Sequence, residues 1–122
     1  MAITTAGKNL LLNSLFGGIK VGLSITEPDA NGVGSEPDTA DGYSRHSPAM
    51  GAASGGSKTN SVMTFIGEAT AIWGTLTHFI IFASYTTGVW TAIMYGALQA
   101  PLYVPANYVP LFRPNSVTFT IS

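Results

Sequence analysis

The fold of this chain is decided by residues 69–112, which read ATAIWGTLTHFIIFASYTTGVWTAIMYGALQAPLYVPANYVPLF and contain no Asp, Glu, Lys or Arg. Such a stretch is buried in its own domain, inserted in a membrane, or covered by other subunits. Its apolar positions are rich in strand-forming Phe, Ile, Val, Tyr and Trp, and the tetrapeptide at 85–88 is typical of a turn. The stretch therefore predicts a β-hairpin of residues 77–85 and 89–98, closed by Gly88 at a positive φ.

The same stretch is not expected to cross a membrane, although residues 79–97 are long enough for a spanning helix. Turn chemistry lies in the middle of the span. The nearest basic residues are Lys58 and Arg113, so the positive anchors that usually flank a spanning helix are missing. Residues 1–5 carry no basic run ahead of an apolar segment, and a signal peptide is not predicted.

Length and composition limit the number of domains and the kinds of partner that the chain can have. A chain of 122 residues predicts a single domain, residues 1–122. Charged residues make up 9% of the chain, whereas about 25% is usual. This scarcity indicates either a Thr-, Ser- and Gly-rich polar surface or a surface covered by neighbouring subunits. The net charge of −1 offers no basic face for nucleic acid, and the lack of cysteine excludes disulfides and Cys-based metal sites.

One helix is predicted at residues 3–17, with Thr4 or Thr5 as the N-cap and Gly17-Gly18 as the stop signal. Its expected apolar face consists of Leu10, Leu11, Leu12, Leu15 and Phe16, and its expected water-facing side of Lys8, Asn9 and Asn13. A helix this short needs a packing partner. That partner is either the sheet of its own domain or a neighbouring subunit.

Alternating apolar residues predict further strands at 19–25, 43–47, 60–66 and 116–122. The four prolines between residues 101 and 114 indicate edge strands or loops. The sum is a mainly-β fold with one short N-terminal helix. We expect an antiparallel β-sandwich or a jelly-roll-like barrel of about seven or eight short strands.

A long Gly- and Pro-rich loop is predicted at residues 26–42. It holds five of the six acidic residues, namely Glu27, Asp29, Glu36, Asp38 and Asp41. Loops of this length are usually functional or mobile. The spacing of these five acids matches no known calcium-binding loop, so neither a metal ion nor another cofactor is predicted.

The chain carries no recognisable catalytic signature. A Gly-x-Ser-x-Gly elbow is absent, and the Gly-rich segment 51–56 is not followed by the Gly-Lys-Ser/Thr of a phosphate-binding loop. His78, which opens the uncharged hairpin, is interpreted as a structural residue. Aromatic residues at strand spacing favour a core over a sugar-binding site. We therefore predict that the protein is not an enzyme.

Several motifs resemble, in order, a family of small tailed-bacteriophage virion proteins of tail-fibre-like or capsid-decoration type. The most specific is the Trp-Gly-Thr-Leu-Thr-His-Phe block at residues 73–79; Val-Gly-Leu-Ser at 21–24, Gly-Tyr-Ser-Arg at 42–45 and Tyr-Gly-Ala-Leu at 95–98 accompany it. The likeness covers nearly the whole chain. It departs at residues 84–86 and 101–114, where a specialised contact is expected.

The residue types in these motifs indicate a role in packing. Trp73 is expected to anchor the core and Gly74 to permit a close approach, while Arg45 is expected to pair with Glu68. The predicted structural residues are Trp73, Gly74, Thr77, His78, Phe79 and Phe82. The predicted interface residues are Leu11, Leu15, Phe16, Tyr85, Trp90, Tyr103 and Tyr108.

The resemblance implies a structural protein of a virion assembled in the bacterial cytoplasm. One compact domain without coiled coil or fibrous repeat favours a capsid decoration, or cement, protein. Such a protein binds the major capsid protein on the outer head lattice and copies of itself, most simply as a trimer. The alternative is a tail-fibre or baseplate component that contacts tail proteins or a host-surface glycan. Neither a nucleic acid nor a membrane is an expected partner.

Overall fold

The computed structural model describes residues 2–15, 18–60, 64–65, 67–86, 88–112 and 118–120. The elements in chain order are α1 Thr5–Leu15, β1 Ile19–Ser24, a 3₁₀ helix at Thr39–Asp41, β2 Ser57–Thr59, β3 Thr64–Phe65, β4 Gly74–Thr86, β5 Val89–Val104, β6 Leu111–Phe112 and β7 Thr118–Thr120. Every strand pair is antiparallel, in sheets ordered β1-β4-β5, β2-β7 and β3-β6. The predicted mainly-β fold is confirmed, and no closed barrel forms among the described residues.

The β4–β5 hairpin dominates the fold and is longer than the predicted strands. β4 has 13 residues and β5 has 16. Gly88 has φ +82° at the turn, as predicted. β5 continues through Pro101, which the sequence assigned to a loop or an edge. Because β5 is the edge strand of its sheet, a proline without an N–H is tolerated there.

The segment predicted as a strand at 43–47 forms only one bridge, between His46 and Val21 on the outer edge of β1. The backbone N–H of Leu23, which a longer strand would pair with, donates instead to the Tyr43 hydroxyl at 2.8 Å. The Tyr43 side chain thus takes the place of the next backbone hydrogen bond between the two segments.

The remaining predicted strands are shorter in the structure. β1 ends one residue earlier than predicted, at Ser24. The segment 60–66 contributes a bridge from Asn60 to Met50 and the short strand β3. β7 represents the final predicted strand. Residues 61–63, 66, 116–117 and 121–122 of these predictions lie outside the described residues.

Helix α1 begins as the Thr4 signal predicted, since the Thr4 hydroxyl accepts the Gly7 N–H at 3.1 Å. Asn13 is exposed, as expected, and Asn9 is half-buried, but both side chains also bind the 53–58 segment. Asn9 Oδ1 accepts the Gly56 N–H at 2.9 Å, and Asn13 Oδ1 accepts both the Ala53 N–H at 3.0 Å and the Lys58 ammonium at 2.8 Å. Lys58 is buried, and a buried ammonium requires such a partner.

The sheet packs against two apolar clusters. The first contains Leu12, Ile19, Val21, Ile81 and Phe119. The second contains Leu23, Tyr43, Ala69, Trp73, Leu76 and Val104. The half-buried Phe79 contacts both clusters, so the middle of β4 connects the two parts of the core.

Candidate functional site

Trp73 lies inside the second cluster, with 3% of its surface exposed. Its indole Nε1 donates to the Asp41 carbonyl at 2.9 Å, and its backbone N–H donates to the Val104 carbonyl at 3.0 Å. The Tyr43 ring meets the indole edge-to-face, with centroids 5.4 Å apart. The Trp73 side chain therefore ties the acidic loop to the open end of the β4–β5 hairpin, where the Trp73 backbone pairs with Val104.

The other motif residues follow along β4. Gly74 has φ +93°, a backbone conformation that glycine adopts readily. The Thr77 hydroxyl donates to the Ile25 carbonyl at 2.9 Å and lies 2.8 Å from His78 Nδ1. Phe82 is buried beneath the Arg45 guanidinium, whose carbon lies 3.7 Å from the ring centroid. The Thr77 and Phe82 contacts therefore hold Ile25, just before the acidic loop, and Arg45, just after it, against β4.

The predicted pairing of Arg45 with Glu68 is wrong, because Arg45 binds Glu36 instead. Arg45 Nε lies 3.1 Å from Glu36 Oε1 and Nη2 lies 2.9 Å from Oε2, a two-pronged arrangement. The Tyr43 hydroxyl donates to the same Oε1 at 2.7 Å. Glu36 reaches this position by crossing Gly22 of β1, where a Cβ would lie 2.5 Å from the carboxylate oxygen.

Sequence reasoning missed this Tyr43–Glu36–Arg45 network. Its local signal was the glycine inside β1, since a glycine in a strand interior often marks a close approach by another segment. Burial raises the pKa of the Tyr43 phenol far above its usual value, and the Glu36 carboxylate adds to the effect. The hydrogen bond to Glu36 also raises the pKa of the Arg45 guanidinium. The network therefore keeps both donors protonated.

His46 follows the network and lies against β1. Burial lowers the pKa of its imidazole, so the neutral form is favoured. Its Nε2 atom is buried and has no hydrogen-bond partner within the described part of the chain.

Two acids of the loop, Asp29 and Asp38, cap turns. Asp29 Oδ1 accepts the N–H groups of Asn31 at 2.8 Å and Val33 at 3.0 Å. Asp38 Oδ1 accepts the Ala40 N–H at 2.9 Å and caps the 3₁₀ helix. Within the described ranges, no three His, Asp or Glu side chains come together in a way that could hold a metal ion.

The loop leaves a shallow depression against the start of β5. Its volume is about 340 Å³, and we call it the Trp90 depression. Its walls are Asn31, Gly32, Val33, Gly34, Glu36, Arg45, Phe82, Trp90, Thr91 and Ala92. The Lys20 ammonium lies 4.5 Å from the Trp90 ring centroid. An indole, a bidentate ion pair and an amide side chain thus share one open site.

Four of the seven predicted interface residues have described side chains. Leu11, Tyr103 and Tyr108 are exposed, and Trp90 is half-buried beneath Lys20. Phe16 and the side chains of Leu15 and Tyr85 lie outside the described residues. Of the four described side chains, Trp90 alone lines the depression.

No helix among the described residues is long and apolar enough to cross a bilayer. A family model described as podophage GP4 fiber I protein gp80 matches residues 2–120. No curated protein matches the chain. Because the family match spans nearly the whole sequence, this chain belongs to the podophage GP4 fiber I protein gp80 family and is a bacteriophage virion structural protein.

Proposed function

We propose that the protein is a fibre subunit attached to the phage tail. The observation that carries the proposal is the family match over residues 2–120, whose description names a fiber protein. Decoration of the head lattice was favoured from the compactness of the chain, and the family description lends it no support. The tail-fibre alternative fits the match better.

The surface of the hairpin supports a role inside an assembly. β4 and β5 carry no charged residue, yet much of β5 is exposed, including Tyr95 and Tyr103. Exposed apolar surface rimmed by polar residues marks contacts between proteins, and Tyr is enriched at such contacts. We propose other copies of this chain and neighbouring tail proteins as its partners.

The copy number of the protein in purified virions tests this assignment. We expect quantitative mass spectrometry to give far fewer copies of this chain than of the major capsid protein, because tail fibres are few and head lattices are large. The portal protein, present as one ring per virion, calibrates the scale. A ratio near one copy per major capsid protein would contradict the fibre assignment and restore decoration.

The Trp90 depression favours a second role, contact with a host-surface glycan. Sugars stack on aromatic faces and bind carboxylate, guanidinium and amide groups, and Trp90, Glu36, Arg45 and Asn31 supply these groups together. Gly32 lets the loop pack closely against β5, since a Cβ there would lie 2.5 Å from Ala92 Cβ. We propose that the depression is where the fibre touches the polysaccharide of the host envelope.

Trp90→Ala tests the glycan proposal. We expect about a tenfold weaker binding to purified host polysaccharide, the size of one lost aromatic contact. Tyr103→Ala is the matched control, since it removes an exposed aromatic ring from the far end of β5. Equal binding by both variants and the unaltered protein, measured by biolayer interferometry, would contradict a sugar site at Trp90.

A further inference from the structure

Two shallow depressions lie side by side along β5. The second, of about 250 Å³, extends to Tyr95 and shares Asn31, Gly32 and Ala92 with the Trp90 depression. The tip of the acidic loop, at Asn31 and Gly32, is therefore their common border. We call the two depressions together the β5 groove.

An aromatic residue stands at each end of the β5 groove. Trp90 and Tyr95 are an odd number of residues apart, which in a regular strand would place them on opposite faces of the sheet. β5 has one extra residue relative to β4 between Ala92 and Met94. This bulge brings Tyr95 back to the face that carries Trp90. The two rings are roughly 15 Å apart along the strand, so a ligand that contacts both must be an extended chain.

Lys20 places an unpaired ammonium at the Trp90 end of the groove. Lys20 is half-buried on β1, and its side chain reaches over β4 to the Trp90 ring of β5, 4.5 Å from the ring centroid. Within the described residues this ammonium has neither a carboxylate partner nor a hydrogen bond, whereas Arg45 is bound by Glu36. Its three N–H donors are therefore available to a ligand.

The charges at the groove leave one positive charge uncompensated. The Glu36 carboxylate and the Arg45 guanidinium neutralise each other, and the remaining acids of the loop line neither depression. The contact with the Trp90 ring holds the Lys20 ammonium in place without using its hydrogen-bonding capacity. The groove therefore favours an anionic group beside the aromatic ring.

We propose that the β5 groove binds an acidic polysaccharide in extended form, with a carboxylate or phosphate of the chain on Lys20 and sugar rings on Trp90 and Tyr95. This inference rests on the glycan role proposed above and names the chemical class of the glycan. Asn31 borders both depressions and supplies an amide for the sugar hydroxyls between the two rings.

Lys20→Gln tests the anionic group. Binding to the purified host polysaccharide, measured by biolayer interferometry, should weaken about fivefold, the size of one exposed ion pair. Lys8→Gln is the matched control, because it removes the same charge from α1. Helix α1 packs through Leu12 in the cluster that contains Val21, on the opposite face of β1 from Lys20. Circular dichroism first verifies that both variants are folded.

The polysaccharide is altered in parallel. One sample has its carboxyl groups reduced to alcohols, and another has its phosphate groups removed with hydrofluoric acid. We expect the unaltered protein to bind one of these samples about fivefold more weakly, and Lys20→Gln to show no further loss on that sample. The sample concerned identifies the anion. Equal binding to all three samples, or equal effects of Lys20→Gln and Lys8→Gln, would overturn the inference.

The glycan role and the inference fail in different ways. If Trp90→Ala weakens binding and Lys20→Gln does not, the sugar site stands and its preference for an acidic chain is wrong. If Trp90→Ala has no effect, the sugar site itself is wrong. Tyr95→Ala tests the extended chain, since it should weaken binding of the polysaccharide but not of a fragment of one sugar unit. Equal binding of the polysaccharide by Tyr95→Ala and the unaltered protein would contradict the extended form.

Discussion

Trp73→Ala should lower the free energy of unfolding by about 3–5 kcal/mol. The indole packs in the second apolar cluster, contacts Tyr43 and donates to the Asp41 carbonyl, so the variant creates a cavity and removes one of the two donors to that carbonyl. Asp41 O still accepts the Thr70 N–H at 2.9 Å, which limits the polar part of the loss. Urea denaturation followed by circular dichroism measures the change.

The second tryptophan supplies the control. Trp90 is half-buried at the rim of the depression, so Trp90→Ala should cost less than about 1.5 kcal/mol. If Trp73→Ala proves too unstable to purify, Trp73→Phe retains most of the packing and loses the Nε1 hydrogen bond, with an expected cost of about 1–3 kcal/mol. Equal effects of the two alanine variants would show that Trp73 is not the anchor of the core.

Gly42→Ala should destabilise the fold by about 3 kcal/mol, through left-handed strain of about 1–2 kcal/mol and a steric clash of similar size. Gly42 follows the 3₁₀ helix with φ +86°, and a Cβ there would collide with the Glu68 carbonyl. The colliding atom belongs to the backbone and cannot rotate away. The acidic loop would therefore separate from the segment that leads to Trp73. Thermal and urea unfolding both report this change.

Gly55→Ala separates the two causes. Gly55 also has a positive φ, of +61°, but a Cβ there meets nothing within 4 Å. It should lose only the strain, about 1 kcal/mol. A Gly42→Ala variant as stable as Gly55→Ala would mean that the loop moves freely and that the close approach to Glu68 has no energetic importance.

Local patterns predicted the elements whose signals lie within a few residues. The uncharged stretch, the strand-forming residues and Gly88 together indicated the hairpin, and Thr4 indicated the start of α1. The extent of β5 was underestimated because Pro101 reads as a break in sequence. Only its position on a sheet edge makes it compatible with a strand, and that position depends on the strand order.

Contacts between distant segments were the main source of error. The partner of Arg45 is Glu36 rather than Glu68, because the acidic loop folds back over Gly22. Periodicity predicted one apolar face for α1, but of its leucines Leu12 is buried whereas Leu10 and Leu11 are exposed. The side chains of Asn9 and Asn13 bind the 53–58 segment, which offers two N–H donors and a buried ammonium. The Trp90 depression also could not be predicted, because its walls come from the acidic loop and from β4 and β5, which are distant in sequence.

A reconstruction of the intact virion by electron cryo-microscopy tests the fibre assignment most directly. The long β4–β5 hairpin, with strands of 13 and 16 residues, is a distinctive shape to place in density. We expect to find it in fibres attached to the tail. Density for this fold on the outer surface of the head lattice, with none on the tail, would contradict the account.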